Sequence, residues 1–599
     1  MEVARTLVWG DYAVIVIYMV VVLALGAWFA RGEKNAGDFL LGGRALPPWA
    51  VGLSCMMSVV SSVSMVTVTG EVFNNGLSLY AFSLLTPLLA IPFFFLFTLF
   101  YFRLGSFTPY EYLEYRYSPA IRGLVAISSL YGRIFYLGSV LFTTAKIFEG
   151  AYEWPPTVTI LVVGVVGAAY TVMGGMKAVV WTDVIQFFVL LAGFVIVIYA
   201  LCTRIDGGFL GALECAQENG RFFNKFGEKE FYKITPYVRL SFWLMLINFV
   251  TSQLSIAASD QITIQRFLST RNWRAAFRAR LVASFSTYPY TLAIFFIGLA
   301  VFAFYHQNPD PGVHSGDGAF FHFVATQLPT PVPGLFMAAM LAAIMSTLDS
   351  GMNSMATVYL KEIHQLYINR NLTGEQEVSI SRWATFAVGV VAIALGLGLE
   401  YAGQWLGATA AEVGTLFALL GEATLPAFLF AVLSKRANSM LIWFLTAYGF
   451  GTTFVHKFWY AASTAATINW QPGEPLGWGG PISYAWPLTA LAVALLAAAA
   501  ALYARRRNRR LEMIALSMFA ALAAGGCEVF ATWALFSNFC ITDVPLARSF
   551  AFGLPTVLII GWIALYFCPK QPREKYQGLT IFTLNQPMLN VKEREVQAQ

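Results

Sequence analysis

The chain has 599 residues, 58% hydrophobic and only 12% charged, with a mean hydropathy of +0.64. An ordinary soluble domain is about 25% charged, so a single water-exposed globule is excluded and any chemistry must sit among apolar helices. The formal charge of +6 is dispersed through short loops, which argues against a nucleic-acid surface.

In chain order, about fifteen apolar stretches reach the roughly 20 residues needed to cross a bilayer. They lie near 11–30, 47–70, 77–103, 119–148, 157–176, 178–202, 237–257, 278–305, 333–360, 381–400, 411–434, 439–461, 485–504, 511–536 and 548–567. The first lacks a basic leader and is followed by Arg31 and Lys34, so it reads as an uncleaved span with its N-terminus outside. Loop charges agree with that orientation. Lys and Arg follow the odd-numbered spans, as at Arg103, Arg116, Lys177, the cluster Arg266, Arg271, Arg274, Arg278 and Arg280, and then Lys435 and Arg436. Opposite loops such as 71–76 and 306–318 carry neither, while 203–236 is long enough to escape the rule. The expected protein is a multi-pass protein of the cell's inner or plasma membrane with a cytoplasmic C-terminus.

Two spans read as interrupted. The second is unusually rich in Ser and Thr between Trp49 and Gly70, and the seventh carries Asn248, Thr251, Ser252, Gln253 and Ser255 before Asp260. They stand five spans apart, the spacing of two inverted repeats whose first helices unwind near the midplane around ion and solute. In the ninth span Ser346, Asp349, Ser350 and Asn353 fall at i, i+3, i+4 and i+7 and make one oxygen-rich stripe. Ser and Thr alone often bond back to helix carbonyls, but an intramembrane carboxylate needs a partner and marks a functional site. Asp183, in Thr182-Asp183-x-x-Gln186 after Gly174-Gly175, is a second such acid; an interfacial Asp at a helix N-terminus is the bland alternative. Arg133 sits mid-span and must face a carboxylate, a cavity or an anionic solute; Glu422 and Glu412 are the partners suggested by sequence.

The six cysteines lack metal-ligand spacing, and a free thiol is the simpler reading even for Cys202 and Cys215. The five histidines lie in or near loops, which argues against a proton relay built on them. No nucleophile–base set or metal cluster marks the spans, so an enzyme is not expected.

Four segments resemble the sodium/solute symporter family, with its sodium-coupled glucose, proline, iodide, monocarboxylate and sialic acid transporters. They are Thr108-Pro-Tyr-Glu-Tyr-Leu-Glu-Tyr-Arg116, Gly174-Gly175 through Asp183 and Gln186, Asp260-Gln261-x-x-x-Gln265-Arg266, and Met345-Ser346-Thr347 with Asn353-Ser354. The resemblance spans roughly residues 40–437 and implies an all-α, LeuT-like 5+5 inverted repeat with a leading span and additional C-terminal spans. It divides the chain into a leading span and loop (1–46), a transport core (47–434, with repeats 47–202 and 237–434 about the outer loop 203–236) and extra spans with a short tail (435–599).

The resemblance further implies a sodium site from the carbonyls of Met57, Val60 and Ala343 and the hydroxyls of Ser346 and Thr347. A second cation site would comprise Asp183, Ser346, Asp349 and Ser350, with Asp349 standing where the family commonly has a hydroxyl. Sodium is the expected coupling ion, with a second sodium or a proton as the alternatives at the second site; no organic cofactor is expected, and the partners are a small solute and the bilayer. Candidate solute contacts are Ser61, Ser62, Ser64, Thr67, Arg133, Asn248 and Gln253. Leu53-Ser54 and the exit at 70–76 are faintly similar to the monocarboxylate and iodide branch, which favours an organic anion. A sugar, polyol or amino-acid symporter, and a membrane sensor that binds without transporting, remain open.

Overall fold

Proline and hydroxyl caps set most of the helix starts. Pro48 and Pro119 occupy first-turn positions where no N–H partner is needed. The Asn272 side chain accepts from the Ala275 amide at 2.9 Å, and Asp260 from Thr263 at 3.0 Å. The computed structural model describes residues 8–29, 35–233, 242–313, 316–406, 424–449, 557–566 and 568–588, and all regular elements among them are helical. They are α1 (Trp9–Phe29), α2 (Ala36–Leu41), α3 (Pro48–Met57), α4 (Ser62–Asn75), α5 (Thr86–Leu104), α6 (Tyr110–Arg116), α7 (Pro119–Tyr152), α8 (Pro156–Cys202), α9 (Gly208–Glu218), α10 (Phe242–Ser259), α11 (Gln261–Leu268), α12 (Trp273–Gln307), α13 (Gly316–Gln327), α14 (Val332–Val358), α15 (Gly374–Leu406) and α16 (Leu425–Leu433).

Among the described residues, seven helices are long and apolar enough to cross a membrane, and α3, the 245–259 part of α10, Ser439–Gly449 and Val557–Tyr566 are shorter apolar helices. The expected spans at 485–504 and 511–536 lie outside the described residues. Straight, the 47 residues of α8 would run about 70 Å, far beyond one crossing. Gly175, at φ 50° and ψ −154°, breaks it into two arms that match the expected fifth and sixth spans. A side chain would strain that conformation.

The second span is interrupted: α3 ends at Met57, and α4 begins after Ser61, which exchanges hydrogen bonds with Ser64 in a capping box. In the seventh the break falls at Asp260, beyond the polar stretch 248–255 that suggested it. Thr251 lies inside α10, where its hydroxyl is satisfied by donating to the Ile247 carbonyl at 2.8 Å. The core is centred on α14, whose apolar window is 89% buried, against 28% for α1 at the periphery. Beyond α14 the chain runs on as a π-helix, Tyr359–Ile368.

The described tail, 568–588, turns back across one end of the bundle. Arg103 donates to the carbonyls of Leu584 at 2.6 Å and Gln586 at 3.2 Å, Arg116 to Lys575 at 2.7 Å and Tyr112 to Leu579 at 2.5 Å. Arg103 and Arg116, which read from sequence as orientation charges in a loop, thus hold main chain as well.

Candidate functional site

The break after α3 turns backbone carbonyls toward α14, and the α14 hydroxyls meet them. Ser346 Oγ lies 3.3 Å from the Met57 carbonyl and 2.9 Å from that of Ala343. Thr347 Oγ1 lies 3.0 Å from the Val60 carbonyl and 3.1 Å from that of Ala343. All five residues named from the sequence are buried together, Met57, Ala343 and Ser346 completely. The result is a cluster of five oxygens without fixed charge, the hard donor set a weakly held alkali ion requires.

The residues named for a second cation, which share Ser346 with the first set, lie on α8 and α14. Asp183 and Asp349 are fully buried. Tyr170 donates to Asp349 Oδ2 at 2.8 Å, and Ser350 to Asp349 Oδ1 at 3.1 Å. Sequence reasoning missed the residue that organises this cluster. Arg266, counted among loop charges, is fully buried; its guanidinium lies 3.0 Å from Asp183 Oδ2, 2.8 Å from Ser54 Oγ and against Ser350. Ser54 donates to the same Asp183 oxygen at 2.5 Å. The available signal was the final Arg of Asp260-Gln261-x-x-x-Gln265-Arg266, a motif that ends inside the protein.

Arg133 finds a different partner from either glutamate considered. It pairs with Asp260, the N-cap of α11, and lies 5.3 Å over the Tyr136 ring. Glu412 and Glu422 lie outside the described residues. The Arg133 and Asp260 side chains keep 28% and 16% exposure, so this pair is less buried than the one between Arg266 and Asp183. Ser61 is buried at the break after α3, and Ser64 approaches the Tyr290 hydroxyl at 3.3 Å. Thr67 is exposed, and Gln253 lines a crevice with Phe94, Thr98 and Arg280 that includes neither Ser61 nor Ser64. The side chains of Ser62 and Asn248 lie outside the described residues.

The 108–116 motif locks one end of the bundle. Thr108 donates to the buried carboxylate of Glu362 on the π-helix, and Arg122 pairs with that carboxylate at 2.5 Å. Gln265 ties the Leu40 carbonyl at 2.7 Å to Thr357 at 2.8 Å. Glu362 and Arg122 also escaped the sequence reading. Cys55, Cys202, Cys215 and Cys568 are free thiols, while Cys527 and Cys540 fall outside the described residues.

The chain is similar to known proteins over most of its length. The sodium/sialic acid symporter NanT of Aliivibrio fischeri is 26% identical over 438 residues, 72% of this chain and 84% of its own. The human sodium-coupled monocarboxylate transporter 1 is 29% identical, over 73% of this chain and 71% of its own. The human sodium/iodide cotransporter is 30% identical, over 63% and 59%. Among solved structures, the substrate-bound outward-open state of a Na+-coupled sialic acid symporter matches with a TM-score of 0.66 at 20% identity, covering 88% of this chain and 98% of that one. These relatives are sodium-coupled transporters and not enzymes. The profile of the Sodium:solute symporter family matches residues 39–440, which include both interrupted spans and all of α14, and the chain belongs to that family.

Proposed function

We propose that this protein imports a small organic anion together with sodium by alternating access, using a LeuT-like core at 47–434 built from repeats 47–202 and 237–434. One observation carries the reading: Ser346 and Thr347 sit within hydrogen-bonding distance of the Met57, Val60 and Ala343 carbonyls at a helix break. Sodium bound there takes the place of those hydrogen bonds: the two hydroxyls turn their protons away and offer oxygen lone pairs beside the three carbonyls, which draws the two helices together. In this reading the N-terminus faces outward, residues 1–46 and 435–599 flank the core, and the tail is cytoplasmic.

An anion is favoured because Arg133 keeps a fixed positive charge at the mouth of the break, held by a partner that a carboxylate can displace. The names of the relatives, which specify sialic acid, monocarboxylates and iodide, point the same way. A second cation at Asp183, Ser346, Asp349 and Ser350 suits that cargo. A tenfold sodium gradient and 100 mV together supply about 3.7 kcal/mol per ion, roughly 500-fold accumulation of a neutral solute. An anion forfeits the electrical part, and a second ion restores it.

The test is uptake into proteoliposomes for a panel of carboxylates, sugars and amino acids, with sodium or choline outside. Sodium-dependent uptake of a carboxylate, lost in Ser346→Ala with Thr347→Ala, is the expected result. Uptake of sugars or amino acids alone would overturn the anion assignment. Sodium-dependent binding without uptake of any solute would make the protein a sensor.

A further inference from the structure

We propose that Arg280 and Thr263 hold a chloride ion in the crevice between α5, α10, α11 and α12. The site rests on neither sodium reading. It starts from a charge that sequence placed in a loop. Arg271, Arg274 and Arg278 are exposed, as loop charges should be. Arg280 lies inside α12, beside Ala276, Ala279 and Ala283, which are all buried. Small side chains on that face let α12 pack closely and draw Arg280 in with it. The guanidinium carbon stands 6.0 Å over the Phe267 ring. Arg280 Nε is shut off from solvent and has no hydrogen-bond partner among the described residues.

Thr263 faces the same crevice from α11, and its buried hydroxyl also has no partner among the described residues. Helical threonines commonly donate to a carbonyl one turn back, as Thr251 and Thr270 do. Thr263 stands in the first turn of α11, after the break at Asp260, and has no helical turn behind it. A buried polar atom left unmet costs about 1–3 kcal/mol. Here one N–H and one O–H, both unmet, line one space.

Charge and size select the occupant. Arg280 keeps its proton, so a water molecule could meet the hydrogen bonds but would leave the charge unanswered. No acid lines the crevice among the described residues. Asp260, at the head of α11, is already engaged by Arg133 and by the Thr263 amide at 3.0 Å. The free space is about 300 Å3 counting its open side, yet its enclosed part admits about one water-sized sphere. A single-atom anion fits there, and a carboxylate or phosphate does not. Phe94, Ile264 and Phe267 supply apolar walls, which suit a large, weakly hydrated halide.

Binding of radioactive chloride to the purified full-length protein, in sodium gluconate at constant ionic strength, tests this. The wild type should bind a single saturable equivalent that bromide displaces and sulfate does not. Arg280→Gln and Thr263→Val should each weaken it about tenfold. Thr263→Ser, which keeps the hydroxyl, should bind as wild type does. If Thr263 served packing alone, valine would be the harmless change and serine the damaging one, and that order overturns the assignment. Should Arg280→Gln fail to fold, the valine and serine variants decide the matter between them. Absence of saturable chloride binding in the wild type would mean that water fills the crevice, and the inference fails. It fails equally if the equivalent is lost in Arg133→Gln and retained in Arg280→Gln, since the anion then sits elsewhere.

Discussion

Arg266 shows what one buried charge does to a site. It contacts Asp183, Ser54 and Ser350 from within the core, so removing it leaves two acids with no cation of their own. Arg266→Gln is expected to cost about 3–5 kcal/mol, seen as a large drop in thermal unfolding temperature. Adding Asp183→Asn should recover much of that loss, because the orphaned charge goes with it. Arg133 belongs to a different regime, since its pair with Asp260 remains partly exposed. Arg133→Gln should leave folding nearly unchanged and raise the KM for a carboxylate solute tenfold or more, without moving sodium activation. Sequence indicated that Arg133 needs a partner. It could not identify Asp260, which is 127 residues away in the chain and becomes a neighbour only through packing. Arg266 was hidden for the opposite reason: its four basic neighbours up to Arg280 made the whole run look like a loop.

At the scale of elements, hydropathy and polar patterning carried far. Apolar runs located α1, α5, α7, α12, α14 and α15 to within several residues, and the Ser- and Thr-rich second span is divided between α3 and α4. Patterning misjudged the seventh span because hydroxyl groups bond their own helix as readily as they mark an interruption, while a single N-capping carboxylate at Asp260 ends one helix and starts the next. Nor could periodicity register helix–helix distance. Gly26 looks like any small residue in an apolar run, yet it lets α1 rest on the Tyr170 backbone, 3.1 Å from where its Cβ would be. Gly26→Val is expected to push α1 off α8 at a cost of about 1–3 kcal/mol. The loss should be read as a lower thermal unfolding temperature, which Gly26→Ala should show to a smaller degree.

For the whole molecule, the most consequential feature without a sequence signature is the folded-back tail. Arg103, Tyr112 and Arg116 all grip it by main-chain carbonyls, and Arg116 also holds Ala431 at 2.8 Å and Ser434 at 2.5 Å, so tail, α6 and the end of α16 are tied at one residue. Arg103→Gln with Tyr112→Phe should speed hydrogen–deuterium exchange across 575–586 while leaving exchange in α14 unchanged. Recognition of carbonyls ignores which side chains the tail carries. Its letters can therefore drift freely between relatives as long as the spacing from 575 to 586 is kept, whereas inserting one residue there would shift all the acceptors out of register. Constraint in this part of the molecule falls on length and path and spares the identity of the side chains.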